Sequence, residues 1–266
     1  MAYLRNLFLV ILKAAFPLWL LAIGMLALLQ TSVIYPGVGK PLLSGNHPTG
    51  PVIHDRWEHA WAWVAEPKDT PRATVVFFHG NGERAEDSWA NYRHYFLERG
   101  LRVVFAEYPG YGERHKRSTG FNTIIPDAHA LMQEVRRKYR DTPLWVAGQS
   151  LGAAVAAQVA RDADVDRIVL VTPWNSLVDV ASKRFPWAPV QLLIEGEYDS
   201  CKALQGQQQK IRLAYAEKDE VIPPQHAKAL AECLRLPGPQ QQEIAKAGHN
   251  DWAARLAPAQ WDWLLL

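Results

Sequence analysis

Residues 144–160 read LWVAGQSLGAAVAAQVA, and this stretch decides the fold. Leu144–Ala147 is a short apolar, strand-forming run, and Leu151–Arg161 reads as a helix. Between them lies Gly148-Gln149-Ser150-Leu151-Gly152, a G-x-S-x-G pentapeptide. A strand that turns directly into a helix strains the serine backbone. Side chains on either side would clash across the turn, so glycine is needed at both flanks. The turn lifts the Ser150 hydroxyl above the sheet and aims a helix N-terminus at it. Strand, turn and helix form the setting that this pentapeptide requires.

Working outward, short apolar runs alternate with helical stretches. Thr74–Phe78, Arg102–Ala106, Ile168–Thr172 and Ile211–Tyr215 read as strands, and Gln240–Ala245 as a last one. Helices are expected over Glu86–Arg99, Asp127–Arg140, Pro223–Leu234 and, closing the chain, Asp251–Leu264. Val52–Val64, with Trp57, Trp61 and Trp63, suggests antiparallel opening strands. Apolar strands separated by helices predict an α/β fold, a mainly parallel doubly wound sheet covered on both faces. Ligands in such folds bind beyond the carboxyl ends of the strands. The expected division is an anchor over residues 1–30, a linker over 31–51 and one domain over 52–266. Within that domain, 173–209 is richer in Pro, Trp and Gln and reads as a short insert over the site.

A hydroxyl nucleophile needs a base, and His249 stands where the final strand ends, on the edge that carries Ser150. A third group must orient the imidazole. Asp219, directly after the strand Ile211–Tyr215, is the leading candidate; Asp199 and Asp179, in the insert, and Glu217, in the same loop, are rivals. Ser150, Asp219 and His249 follow the chain order nucleophile, acid, base of one hydrolase architecture. Donors for an oxyanion are expected from the amide of Leu151 and from that of Asn81 in His79-Gly80-Asn81-Gly82. His79 itself reads as a residue that braces the loop.

In these motifs the chain resembles the α/β-hydrolase superfamily over about residues 52–266. The resemblance rests on HGNG at 79–82, YPGYG at 108–112, GQSLG at 148–152, KDEVIP at 218–223 and GHND at 248–251. More narrowly it is similar to membrane-anchored, small-capped hydrolases of serine-aminopeptidase-like or dienelactone-hydrolase-like type. Those also carry an early Tyr-Pro, here Tyr35-Pro36, and a TPWNSL-like stretch, here Thr172–Leu177. The resemblance implies Ser150 as nucleophile, Asp219 as acid, His249 as base, and the amides of Asn81 and Leu151 as oxyanion hole. It does not select among ester, thioester and amide substrates.

The remaining features bound the function. With 29 Lys+Arg against 27 Asp+Glu the formal charge is +2, which predicts no polyanion-binding surface and no nucleic-acid partner. Gly110-Tyr111-Gly112 lacks the third glycine of a dinucleotide loop, and no zinc motif is present, so no cofactor or metal is expected. Cys201 and Cys233 are the two cysteines, and a bridge between them is left open. Residues 7–29 are apolar except for Lys13, long enough to cross a bilayer. Tyr35 fits an interfacial aromatic anchor. Arg5 and Lys13 precede or open the run and the next basic residue is Lys40. The expectation is therefore a single-pass protein with its catalytic domain on the non-cytoplasmic side, the periplasm in a bacterium. A cleaved signal peptide, with Ala22-Ile23-Gly24 as its best site, is the competing reading. For the domain, a serine hydrolase acting on a small-molecule or lipid-like acyl substrate leads. A non-catalytic binding module and an acyltransferase are the alternatives.

Overall fold

Each short apolar run becomes a strand because both of its faces are covered. In β3 (Ala73–Phe78) every residue is buried, as expected of a strand inside a parallel sheet. The computed structural model describes residues 2–40, 50–55 and 59–266; Trp57 and linker residues 41–49 lie outside it. Eight strands form one sheet in the order β1-β2-β4-β3-β5-β6-β7-β8. The short edge strand β1 (Val52–His54) and its neighbour β2 (Ala60–Ala65) run antiparallel. From β4 (Leu101–Ala106) through β3, β5 (Leu144–Gln149), β6 (Arg167–Val171), β7 (Ile211–Ala216) and β8 (Gln241–Ile244), all pairings are parallel. All carboxyl ends of these six strands therefore meet on one edge.

Alternation along the strands splits the core in two. Val76, Phe78, Val146, Ile168 and Leu213 face one side, where α3 (Phe121–Lys138), α4 (Leu151–Asp162) and α8 (Pro224–Cys233) cover them. Val75, Phe77, Phe105, Val169 and Ala214 face α2 (Ala85–Leu97), α9 (Trp252–Arg255) and α10 (Pro258–Leu265) on the other. Between β6 and β7 the chain forms α5 (Leu177–Arg184), α6 (Val190–Leu193) and α7 (Ser200–Ala203).

Two helix boundaries differ from expectation. α3 begins at Phe121, six residues early, with Pro126 inside it. The proline removes one helical hydrogen bond, but Ile124, Ile125 and Ala128 continue the buried face across it. The single closing helix is two helices, because Pro258 supplies no N–H to continue α9 and instead occupies the first position of α10.

The apolar N-terminal segment is one helix, α1 (Ala2–Ile34), of which Ala15–Ile34 is long and apolar enough to cross a membrane. Its Gln30 Oε1 accepts a bond from the Glu195 amide at 3.2 Å, and Trp19 Nε1 donates to the Trp187 carbonyl at 2.9 Å. Tyr35 is not at a lipid interface. It is 4% exposed inside the domain core, with its hydroxyl donating to Tyr198 at 3.2 Å, and burial pushes its pKa up to about 12. The reason is local: the chain turns at Pro36-Gly37 and runs back along the sheet edge, where Gly37 N bonds the Asn81 carbonyl and Gly39 N that of Gly110. Cys201 in α7 and Cys233 in α8 form a disulfide.

Candidate active site

Ser150 caps α4 with φ 54° and ψ −118°, a strained conformation for a residue with a side chain. Packing enforces it. A methyl group at Gly148 would run into the Gly152 carbonyl, and one at Gly152 into the Phe78 carbonyl, so β5 and α4 approach as closely as backbones can. The Ser150 amide is then used by the Val171 carbonyl of β6 at 3.0 Å. The next residue along that strand, Thr172, also has positive φ (46°), unusual for a β-branched side chain. Strain of order 1–3 kcal/mol at each such position persists only where surrounding structure over-determines it. Both positions lie at the carboxyl edge of the sheet.

Asp219 lies three residues beyond β7. The Val221 and Ile222 amides donate to its Oδ1 at 3.0 and 2.7 Å, which leaves Oδ2 for the Nδ1 of His249 at 2.7 Å. The pair is nearly shut off from water, with side-chain exposures of 1% for Asp219 and 8% for His249. A carboxylate only accepts, so Nδ1 carries the proton and Nε2 keeps a free lone pair. The two loops are tied to each other: Lys218 N donates to the Ala247 carbonyl at 2.8 Å, and Glu217 accepts from the Lys246 amide at 2.7 Å. Asp251 accepts from the Gly248 amide at 2.7 Å, and Arg255 together with that amide holds its carboxyl below the usual range.

The other acids are engaged elsewhere. Asp199 caps α7 through the Lys202 amide at 2.8 Å, and Asp179 accepts from Ser176 Oγ at 2.7 Å and from the Asn175 side chain. Glu217 is the loop brace just described. Ser150 shares the sheet edge with His249, but among the described residues no hydrogen bond joins their side chains. Such contacts often close only around substrate.

Leu151 opens α4, and its amide has no partner within the helix. A Cβ on Gly80 would sit 3.9 Å from Ser150 Cβ, at van der Waals contact, so the Gly80-Asn81 loop adjoins Ser150. Asn81 is held on three sides. Its carbonyl accepts from Gly37 N at 3.1 Å and Tyr111 Oη at 2.9 Å, and its Nδ2 donates to the Ile34 carbonyl at 3.0 Å. His79 is fully buried, with Nδ1 2.7 Å from the Gly80 carbonyl and Nε2 3.2 Å from Glu107 Oε1, and its carbonyl accepts from Tyr108 Oη. It braces the loop from below. Tyr108 and Tyr111 belong to the YPGYG stretch, and it is their hydroxyls that hold the Asn81 loop. Beside Asn81 opens a cavity of about 550 Å³ lined by α1, α5, α6 and the loop after Asp219.

The family model for serine aminopeptidase, S33, matches residues 69–195, a stretch that includes Asn81, Ser150 and Leu151 and stops before Asp219 and His249. An uncharacterized protein of Mycobacterium tuberculosis is 27% identical over 154 residues, 57% of this chain and 54% of that one. The lysophosphatidylserine lipase ABHD12 of Danio rerio is 25% identical over 150 residues, 53% of this chain and 39% of that one. The chain spans about half or less of the length of these curated relatives. Among solved structures, a thermophilic esterase of Thermogutta terrifontis matches with a TM-score of 0.60 at 16% identity, over 84% of this chain and 92% of that one. That likeness is one of fold.

Proposed function

We propose that this chain, which belongs to the α/β-hydrolase superfamily, cleaves an ester, thioester or related acyl bond through an acyl-enzyme on Ser150. The observation that carries the reading is the buried Asp219–His249 bond on the sheet edge where Ser150 is held in strain. His249 Nε2 takes the proton as Ser150 Oγ attacks the acyl carbon, and the amides of Asn81 and Leu151 receive the oxyanion. Asp219 holds the tautomer and stabilises the imidazolium. His249 returns the proton to the leaving group, then activates the water that splits the acyl-enzyme into acid and free serine. A binding module would need neither this strain nor this buried pair.

The α5–α7 segment forms a small cap within a domain over residues 52–266, and the substrate is lipid-like. The lipase activity in the name of the zebrafish relative and the apolar α1 support this. Arg5 and Lys13 before the apolar run, and a disulfide between the two cysteines, support a catalytic domain outside the cytoplasm. The deciding experiment is labelling of the full chain with a fluorophosphonate, followed by hydrolysis of p-nitrophenyl esters. Ser150→Ala should abolish both while keeping the fold, with a loss of several orders of magnitude in rate. Hydrolysis at the wild-type rate by the folded variant removes Ser150 from the mechanism.

A further inference from the structure

α1 does more than tether. Ala22, Ile23, Leu26, Ala27, Gln30 and Ile34 are partly covered, and their spacing of three to four residues marks one helix face laid against the domain. The opposite face stays open, with Leu21 61%, Met25 52% and Leu28 85% exposed. Contacts pin the docked face at three heights: Trp19 to Trp187, Gln30 to Glu195, and the Ile34 carbonyl to Asn81. Between this face, α5 and α6 lies the 550 Å³ cavity, a volume within the usual range for small-ligand sites. Leu26, Gln30, Val33 and Ile34 line it from α1, Leu177 and Val180 from α5, and Asn81 belongs to the same lining.

Resting on the serine-hydrolase reading, we propose that this cavity holds the acyl chain of the substrate, with α1 as one wall. The substrate is a single-chain acyl amphiphile taken sideways from the membrane. Asn81 supplies the continuity, since it lines the cavity and adjoins Gly80, which packs on Ser150. The leaflet route follows from the surroundings. The open face of α1 is apolar, and on the cap Trp187 is 46% and Leu192 84% exposed. A 33-residue helix is about 50 Å long against a hydrocarbon core of roughly 30 Å. Its docked turns, Trp19 to Ile34, overlap the apolar stretch Ala15–Ile34, so the cap and the cavity lie against the bilayer rather than clear of it.

The test uses the full chain in phosphatidylcholine nanodiscs, with p-nitrophenyl acetate, p-nitrophenyl laurate and 1-monolauroylglycerol as probes. Leu26→Trp should lower kcat/KM for laurate at least about tenfold by filling the cavity, and leave acetate within about twofold. Leu28→Trp, on the open face, should change neither. Turnover of monolauroylglycerol should follow its mole fraction in the disc rather than its total concentration. Equal losses on both esters, an unchanged laurate rate in Leu26→Trp, or turnover that follows total concentration overturns the inference while leaving the hydrolase reading intact. A wild type that hydrolyses neither ester and resists the fluorophosphonate defeats the hydrolase reading itself.

Discussion

Gly152→Ala tests the packing that presents Ser150. A methyl group there lands inside the Phe78 carbonyl and 2.7 Å from the His79 carbonyl oxygen. Carbon–oxygen contacts of ordinary closeness are about 3.3–3.6 Å, so the His79 contact alone demands a shift of roughly 0.6–0.9 Å. The Phe78 contact demands more. Both partners are backbone, at the end of β3, and no side chain can rotate away to relieve them. The Phe78 oxygen, 1.9 Å away, sets the larger demand, so α4 must move off β3 by about 1.5 Å, carrying Ser150 away from the Gly80-Asn81 loop. Overpacking of this kind costs about 2 kcal/mol, or a fall in Tm of about 4–8 °C, and a 1 Å misplacement at a reacting centre costs about a hundredfold in kcat. Thermal unfolding by circular dichroism and burst titration with an activated ester measure the two effects separately. A Gly152→Ala protein with unchanged Tm and turnover would show that the elbow is not sterically locked and refute the argument.

Three further outcomes are expected. Asp219→Asn should lower kcat by about 10⁴-fold by leaving the imidazole in the wrong tautomer, whereas Asp199→Asn, Asp179→Asn and Glu217→Gln should cost far less; steady-state assays of the four folded variants on one activated ester decide it. Replacing Cys201 and Cys233 together by serine removes a cross-link across 32 residues and should destabilise by roughly 3–4 kcal/mol on the chain-entropy account, read as a shift in the urea midpoint. Alkaline phosphatase fused after Leu266 in a bacterial host should be active and a green-fluorescent fusion dark; the reverse pattern inverts the topology.

The legible part of the fold was whatever local sterics and periodicity decide. Five of the six parallel strands are apolar runs because a strand buried on both faces has no polar side to show; the edge strand β8, QQEI, buries only Ile244. The glycines at 148 and 152 announced the elbow because no other residue fits between touching backbones. At two prolines local signals compete. α3 starts six residues before the expected Asp127, because burial of Ile124 and Ile125 outweighs the one hydrogen bond lost at Pro126. The helix expected over Asp251–Leu264 is divided at Pro258.

Chain order alone placed Ser150, Asp219 and His249 after the ends of strands, and in a parallel sheet all such ends share an edge. Which acid meets the imidazole was a tertiary matter. Asp219, Glu217, Asp199 and Asp179 are equally ionic in sequence, and it is the turn of amides at Val221 and Ile222 that aims one of them at His249. The two faces of α1 were likewise invisible. A helix apolar on every side carries no period in its hydropathy, so only its contacts with Trp187, Glu195 and Asn81 set the face of Leu26 apart from that of Leu28. Tyr35 behaved the same way: its composition suits a membrane interface, but the reversal at Pro36-Gly37 brings it within reach of Tyr198. Composition determines that a surface must be covered; the long-range path of the backbone decides what covers it.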